Sequence, residues 1–187
     1  TTSFVDETFA MNRAVTYLKS KTGGVIKLLQ KTYCGTLLFN GNDNISIEGT
    51  SRTHSRLAAY SVNKFAIQVE AGWTNSGAHF SDFTIVSLVP QKGYGVYLNC
   101  ATKYDFHNVS LDGCGIGVMT NGTIDNTFNQ CDIINNHIGA LIGTFVSGYT
   151  TLSNINDQSL TVSSAFVDTQ PSEQTFTNVK FVGNKCH

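Results

Sequence analysis

Gly95-Val96-Tyr97-Leu98-Asn99, Gly117-Val118-Met119-Thr120-Asn121 and Gly139-Ala140-Leu141-Ile142-Gly143 begin 22 residues apart each time, and this spacing decides the fold. Eleven residues after the first two come Phe106-His107-Asn108-Val109-Ser110-Leu111 and Phe128-Asn129-Gln130-Cys131-Asp132-Ile133. The same Phe-x-polar-apolar-x-apolar phrase stands at Phe80–Ile85 and Phe176–Phe181, and a weaker rung is expected near Thr151–Asn156, carried by Leu152 and Ile155. A unit of this length with two or three short strands and no helix cannot bury its apolar side alone. Stacking each unit on the next, about 4.8 Å further along, pairs every strand in parallel and merges the apolar sides into one core. The Leu-x-x-Leu-x-Leu consensus of a leucine-rich repeat is absent, and a sandwich does not repeat at fixed register. The spacing therefore predicts an all-β fold, a right-handed single-stranded parallel β-helix with 22-residue coils over about residues 24–187.

Composition agrees. The chain has 187 residues, 41% of them hydrophobic, which suits one domain spanning residues 1–187. Seventeen glycines and seventeen asparagines stand against two prolines. Asn and Gly take positive φ most readily, so a fold with many tight bends recruits both. A net charge of −1 gives no electrostatic case for nucleic acid or an anionic membrane, and no run of about 18 apolar residues exists to span a bilayer. The chain opens Thr1-Thr2-Ser3 with neither initiator Met nor signal peptide, so a fragment of something longer is expected. Five cysteines, Cys34, Cys100, Cys114, Cys131 and Cys186, are odd in number and lack CxxC spacing. They read as buried free thiols rather than a zinc site or disulfide framework, and no metal or cofactor is implied.

One stretch reads as helix, over about residues 6–20. Asp6 can cap it, with Glu7 in the first turn; Ala10, Met11, Ala14, Val15 and Leu18 form an apolar stripe, and Gly23-Gly24 stops it. Asp6-Glu7-Thr8-Phe9-Ala10-Met11-Asn12-Arg13-Ala14-Val15 resembles the Asp-Asp-Thr-x-Ala-Ile-x-x-Ala-Ile capping helix of the pectate-lyase-like β-helix superfamily, in the branch that includes bacteriophage tailspikes. Gly24-Val25-Ile26-Lys27-Leu28, ending in Thr32-Tyr33, is similar to that branch's first coil, with Leu29 and Lys31 in place of its Pro and Gly; Asn44-Ile45-Ser46-Ile47-Glu48-Gly49 continues the match. The resemblance covers the first fifty residues and implies a virion-tail or secreted protein that binds, or also depolymerises, a bacterial surface polysaccharide. It identifies architecture more than activity, since this fold hosts lyases, hydrolases and plain adhesins. The Asn-Thr-Asp, Asp-Asp, Gly-His-Gly and Arg-Ile-Lys signatures of polygalacturonases are absent, as are the Arg-x-x-Arg-x-Pro and Trp-x-Asp-His stretches of calcium-dependent pectate lyases.

Alternation along a strand sorts side chains by face. Val109/Leu111 and Cys131/Ile133 point inward; Ser110, Asp112, Asp132 and Ile134 point outward. Asp112 and Asp132 then lie one rung and two residues apart, roughly 8 Å between Cα atoms by strand geometry. That is compatible with the roughly 6.5–9.5 Å carboxyl separation of an inverting glycosidase; two solvated aspartates are the other reading. Arg52-Thr53-His54-Ser55-Arg56 is a basic cluster, either a solvated turn or a contact for an acidic glycan through Arg52 and Arg56. Asp82, Asn108, Gln130 and Asn178 recur at one position of the phrase and read as a structural ladder.

On the strands beginning Gly95, Gly117 and Gly139, the outward residues are Tyr97, Met119 and Leu141, with Gln68 below and Ser163 above. Three large apolar residues in register suggest a contact surface, for a neighbour in a parallel homotrimer or for a loop of the same chain. Between Ala66 and Phe80 the rhythm is broken by Ala71-Gly72-Trp73-Thr74-Asn75-Ser76-Gly77, which holds the only Trp. An indole on a loop beside a β-helix face is a platform for a sugar ring; the alternative is a ring folded over the coil edge. Trp73→Ala is expected to leave the thermal midpoint within a few degrees and to weaken glycan binding by about tenfold, one stacking contact, read by titration calorimetry beside a melt.

Overall fold

Short alternating segments bounded by Asn and Gly form strands of three to six residues in the computed structural model, which describes residues 5–40, 44–70, 77–123, 125–142 and 174–185. After helix α1 (Thr8–Lys19), the first coil is β1 (Gly24–Leu28), β2 (Thr32–Cys34) and β3 (Leu37–Phe39), and the second is β4 (Ile45–Gly49), β5 (Arg56–Ala59) and β6 (Phe65–Glu70). The third is β7 (Ala78–Ser81), β8 (Thr84–Ser87) and β9 (Tyr94–Asn99); the fourth, β10 (Tyr104–His107), β11 (Ser110–Asp112) and β12 (Ile116–Asn121). Then come β13 (Asn126–Asn129), β14 (Asp132–Ile134) and β15 (Ile138–Leu141), and finally β16 (Gln174–Thr177) and β17 (Lys180–Val182). Every third strand stacks. The first sheet runs β1-β4-β7-β10-β13-β16, the second β2-β5-β8-β11-β14-β17 and the third β3-β6-β9-β12-β15, with every pairing parallel. The chain is a parallel β-helix.

The 22-residue period holds where the sequence shows it: Phe106 pairs with Phe128, and Val96 with Val118 and then Ala140. Elsewhere the interval stretches, to 33 residues between Ile47 and Phe80 and to 48 between Phe128 and Phe176. The last interval corrects an expectation. No rung stands between β13 and β16, or between β14 and β17, because these strands pair directly. Residues 151–156 themselves lie outside the described residues.

Phenylalanines in register fill the core. The rings of Phe106 and Phe128 stack at 4.7 Å and 6°, Phe176 follows at 5.0 Å, and Phe80 meets Phe106 edge-on at 5.1 Å. Leu57, Ile85, Leu111 and Ile133 form a second buried column, and Ile67, Val96 and Val118 a third. Each such side chain contributes about 1.5–3 kcal/mol by leaving water.

The corners explain the asparagines. Asp82, Asn108, Gln130 and Asn178 all take left-handed conformations (φ 62°, 52°, 55° and 53°), and so do Gln91, Gly113, Asn135 and Gly183 at the next corner. Each bend turns its amide along the axis: Asp82 N–H donates to the His107 carbonyl, Asn108 to Asn129 and Gln130 to Thr177. Side chains continue the ladder, Asn108 Nδ2 donating to Asp82 Oδ1 at 2.7 Å. Inside the following corner, the buried Asn136 and the half-buried Asn184 do the same. Asn136 Oδ1 accepts the Cys114 N–H at 2.8 Å, Asn184 Oδ1 accepts the Asn136 N–H at 3.0 Å, and Asn184 Nδ2 donates to the Ile133 carbonyl at 2.8 Å.

Helix α1 covers the first coil, burying Val15. Its side chains also serve the open edge of that coil. Thr8 Oγ1 accepts the Thr36 N–H at 3.0 Å, Asn12 Oδ1 accepts the Leu38 N–H at 2.9 Å and Asn12 Nδ2 donates to the Thr36 carbonyl at 2.7 Å. Asp6, expected as the cap, lies one residue before the N-cap Glu7, and its Oδ1 accepts the Thr8 N–H at 2.9 Å in a local turn. Glu7, expected to serve the helix dipole, turns to the coil instead and takes the Cys34 N–H at 3.1 Å and Lys31 Nζ at 2.8 Å. Those partners hold its carboxyl below the usual range, the Lys31 bond foremost. Cys34, Cys114 and Cys131 are buried free thiols and Cys100 is half-buried, while Cys186 lies outside the described residues. Burial pushes Cys131 up to about 11, so its thiolate is scarce near neutrality.

Asn108→Val puts a β-branched residue in the left-handed region and removes two side-chain hydrogen bonds, an expected loss of about 2–3 kcal/mol. Asn108→Gly keeps the backbone at ease and is expected to cost about 1 kcal/mol. Urea unfolding of both variants checks the difference.

Candidate functional site

The outer face of the second sheet carries a column in register: Arg56, Thr84, Ser110, Asp132 and Lys180, one per rung. Asp112 stands one rung before Asp132 and two residues further along, opposite Ile134, as strand alternation predicts. Arg52 comes from the turn between β4 and β5. That turn is fixed from beneath by the buried Ser55, whose Oγ donates to the Leu28 carbonyl at 2.8 Å and accepts the Thr50 N–H at 2.9 Å. From there the Arg52 side chain runs along the solenoid axis. Its guanidinium donates to Asn108 Oδ1 at 3.1 Å and to the Gln130 carbonyl at 3.4 Å, and ends in an ion pair with Asp132 Oδ2. Thr84 Oγ1 ties the Arg52 carbonyl down at 2.6 Å.

Two residues that the sequence placed in separate roles, Arg52 and Asp132, thus meet. Both are half-buried, with side chains 27% and 23% exposed. Asp112 is held differently: its Oδ1 accepts Asn135 Nδ2 at 2.9 Å. Arg56 is exposed at the start of the column. An aspartate committed to a guanidinium is occupied as an acceptor, and the exposed Arg56, three rungs away on the same face, offers a fork for a carboxylate or a hydroxyl pair. The face is therefore a polar strip of alternating charge, chemically suited to a polyhydroxylated chain.

The third sheet's outer face holds the apolar stripe. Gln68, Tyr97, Met119 and Leu141 pair in register on four successive rungs. They are less open than alternation alone suggests: Met119 is 3% exposed, Leu141 9%, and Tyr97 is half-buried. Residues at the strand starts join them, because Phe65, Tyr94 and Ile116 turn onto the same cluster, and the Phe65 ring stacks on Tyr97 at 5.1 Å. Burial pushes the Tyr97 hydroxyl up to about 12. Trp73 and Ser163 lie outside the described residues.

Sequence reasoning passed over the outer face of the first sheet. There His79 Nδ1 and Asp105 Oδ2 stand 2.7 Å apart, and Thr127 Oγ1 bonds the other Asp105 oxygen. The signal was available: the residue before each phrase phenylalanine (His79, Asp105, Thr127, Thr175) falls in one column. His107 closes β10, with its ring 6.3 Å from that of His79. Beneath α1 lies an apolar cavity of about 210 Å³ lined by Met11, Ala14, Ile26, Tyr33, Leu37 and Leu57, with Glu7 and Lys27 also on its wall. Among the described residues no group of three or more His, Cys, Asp or Glu side chains is arranged to hold a metal ion, and no helix is long and apolar enough to cross a membrane.

Comparison with protein-family models, with curated proteins and with solved structures finds no match for this chain. The class defined by the coordinates is that of parallel β-solenoids with a helical N-terminal cover.

A double-mutant cycle on Arg52→Ala and Asp132→Ala is expected to return a coupling of about 1 kcal/mol or less, since the pair keeps partial contact with water. It should shrink in 1 M salt, where the Debye length is about 3 Å. Unfolding of the four proteins at low and high salt measures both.

Proposed function

We propose that this chain is a glycan-binding β-helix segment of the bacteriophage tailspike type, acting outside the cell on bacterial capsule or O-antigen. The observation that carries the proposal is the polar strip of the second sheet, where Asn108 and Asp132 hold Arg52, Asn135 holds Asp112, and Arg56 stands exposed at the start of the same column. A rung spacing of about 4.8 Å repeats these groups along a line, as a polysaccharide repeats its hydroxyls. The resemblance of the capping helix and first coil to that branch supports the same reading. Assembly of the parent protein as a parallel homotrimer belongs to it, and light scattering on a chain extended beyond residue 187 should give three times the monomer mass.

Binding and cleavage are separable. As an inverting hydrolase, the site would use one of Asp112 and Asp132 as acid and the other as base, with water between them. The Arg52–Asp132 ion pair favours the adhesive reading over the hydrolytic one, because it occupies one of the two carboxylates. The alternative is a secreted lyase or hydrolase unconnected with phage, which would use the same face.

The test incubates the protein with capsule and O-antigen preparations and follows binding and new reducing ends together. Retained glycan is expected, at reduced affinity in Arg56→Ala. New reducing ends that vanish in Asp112→Asn and Asp132→Asn, with binding kept, assign hydrolysis. Binding without new ends assigns adhesion, and a protein that retains no preparation overturns the proposal.

A further inference from the structure

The column on the outer face of the first sheet has a chemical order of its own. Val25 pairs with Ser46, Ser46 lies opposite His79 through the β4–β7 register, and His79 pairs with Asp105. One rung after another, the face reads apolar side chain, hydroxyl, imidazole, carboxylate. All four are reachable: Val25 is 43% exposed, the His79 and Asp105 side chains 46% and 45%, and Ser46 is half-buried. The parallel ladder that holds them fixes their order and spacing, as a rigid element should for a reactive site.

We propose that Ser46, His79 and Asp105 form a serine esterase site acting on small acyl esters, of the kind carried by O-acylated sugars. This goes beyond glycan binding and rests on that reading only for the origin of the ester. A carboxylate has no proton to give, so the 2.7 Å contact with Asp105 assigns a proton to His79 Nδ1 and leaves Nε2 as the nitrogen not engaged by Asp105. Thr127 holds the second Asp105 oxygen, which fixes the carboxylate that orients the ring. Ser46, on the rung before His79, accepts the His79 backbone N–H with its Oγ at 3.2 Å. Its own proton is left for another acceptor, and rotation about its single χ1 brings the hydroxyl toward the imidazole.

The steps follow that order. Ser46 Oγ attacks the ester carbonyl carbon while Nε2 takes its proton. Collapse of the tetrahedral adduct breaks the bond to the sugar oxygen, which leaves with the proton from Nε2. Water, deprotonated by the same nitrogen, then cleaves the acyl-serine to the free acid and restores Ser46. Val25, one rung below, meets the acyl methyl. Asp105 is a positioning residue, since it touches the ring and not the ester.

The experiment uses the 187-residue chain with p-nitrophenyl acetate and a fluorophosphonate probe. Hydrolysis above the buffer rate is expected, with one equivalent of probe found on Ser46 by peptide mass. Ser46→Ala should abolish labelling and lower turnover at least a hundredfold, with an unchanged melt. His79→Gln, which keeps a side-chain donor toward Asp105, should lose activity to the same degree. Asp105→Asn should lower kcat/KM at least tenfold and move the His79 ¹⁵N signals away from the Nδ1-protonated pattern, a readout that a purely structural role would leave in place. A wild-type chain that neither hydrolyses the ester nor takes the probe overturns the proposal, and so does a Ser46→Ala variant as active as wild type. Neither result touches glycan retention, which is scored separately on capsule and O-antigen.

Discussion

Every backbone amide in a parallel solenoid must find its partner on the rung above or below, and the rest of this structure follows from that constraint. Strands satisfy it along their length through the three sheets. Corners satisfy it only if the chain bends so that the amide still points along the axis, which is what positive φ at Asp82, Asn108 and Gln130 achieves. Among the described residues no rung lies beneath the first coil, and α1 supplies partners from side chains: Glu7, Thr8 and Asn12 bond Cys34, Thr36 and Leu38. A capping helix is usually described as a hydrophobic lid, yet here its polar residues answer the edge as directly as Val15 answers the core.

The same constraint makes the outer faces orderly. Because register cannot slip without exposing the phenylalanine column, each outward position becomes a row of side chains one rung apart. Three such faces differ in chemistry. The second sheet carries Arg56, Asp112 and Asp132, the third carries Tyr97, Met119 and Leu141 within an apolar cluster, and the first carries Ser46, His79 and Asp105. A single chain thereby separates charge, apolar surface and titratable groups around one axis.

Much of this was legible beforehand, for identifiable reasons. The repeat at Gly95, Gly117 and Gly139 gave coil length and register because those coils contain no insertion. The inward pairs Val109/Leu111 and Cys131/Ile133 followed from alternation, and so did the placement of Asp112 against Asp132. Arg52 on Asp132 was not legible: the two are 80 residues apart, and their meeting depends on how far a turn leans along the axis. The covering of Met119 was missed because Phe65 and Tyr94, at strand starts, turn outward against the simple alternation. A rung counted between Phe128 and Phe176 from the length of the interval is excluded, because the two residues pair directly.

That tolerance of length has a thermodynamic scale. Lengthening the interval between in-register partners from 22 residues to 48 raises the entropy of closing the loop by only (3/2)RT ln(48/22), about 0.7 kcal/mol. One buried phenylalanine in the stack outweighs that several times over. Recognition loops on such a scaffold can thus be exchanged, extended or deleted between corners while the rungs keep their register. Sequence can drift at these junctions without rebuilding what holds the rungs together, and an engineer can graft at the same places.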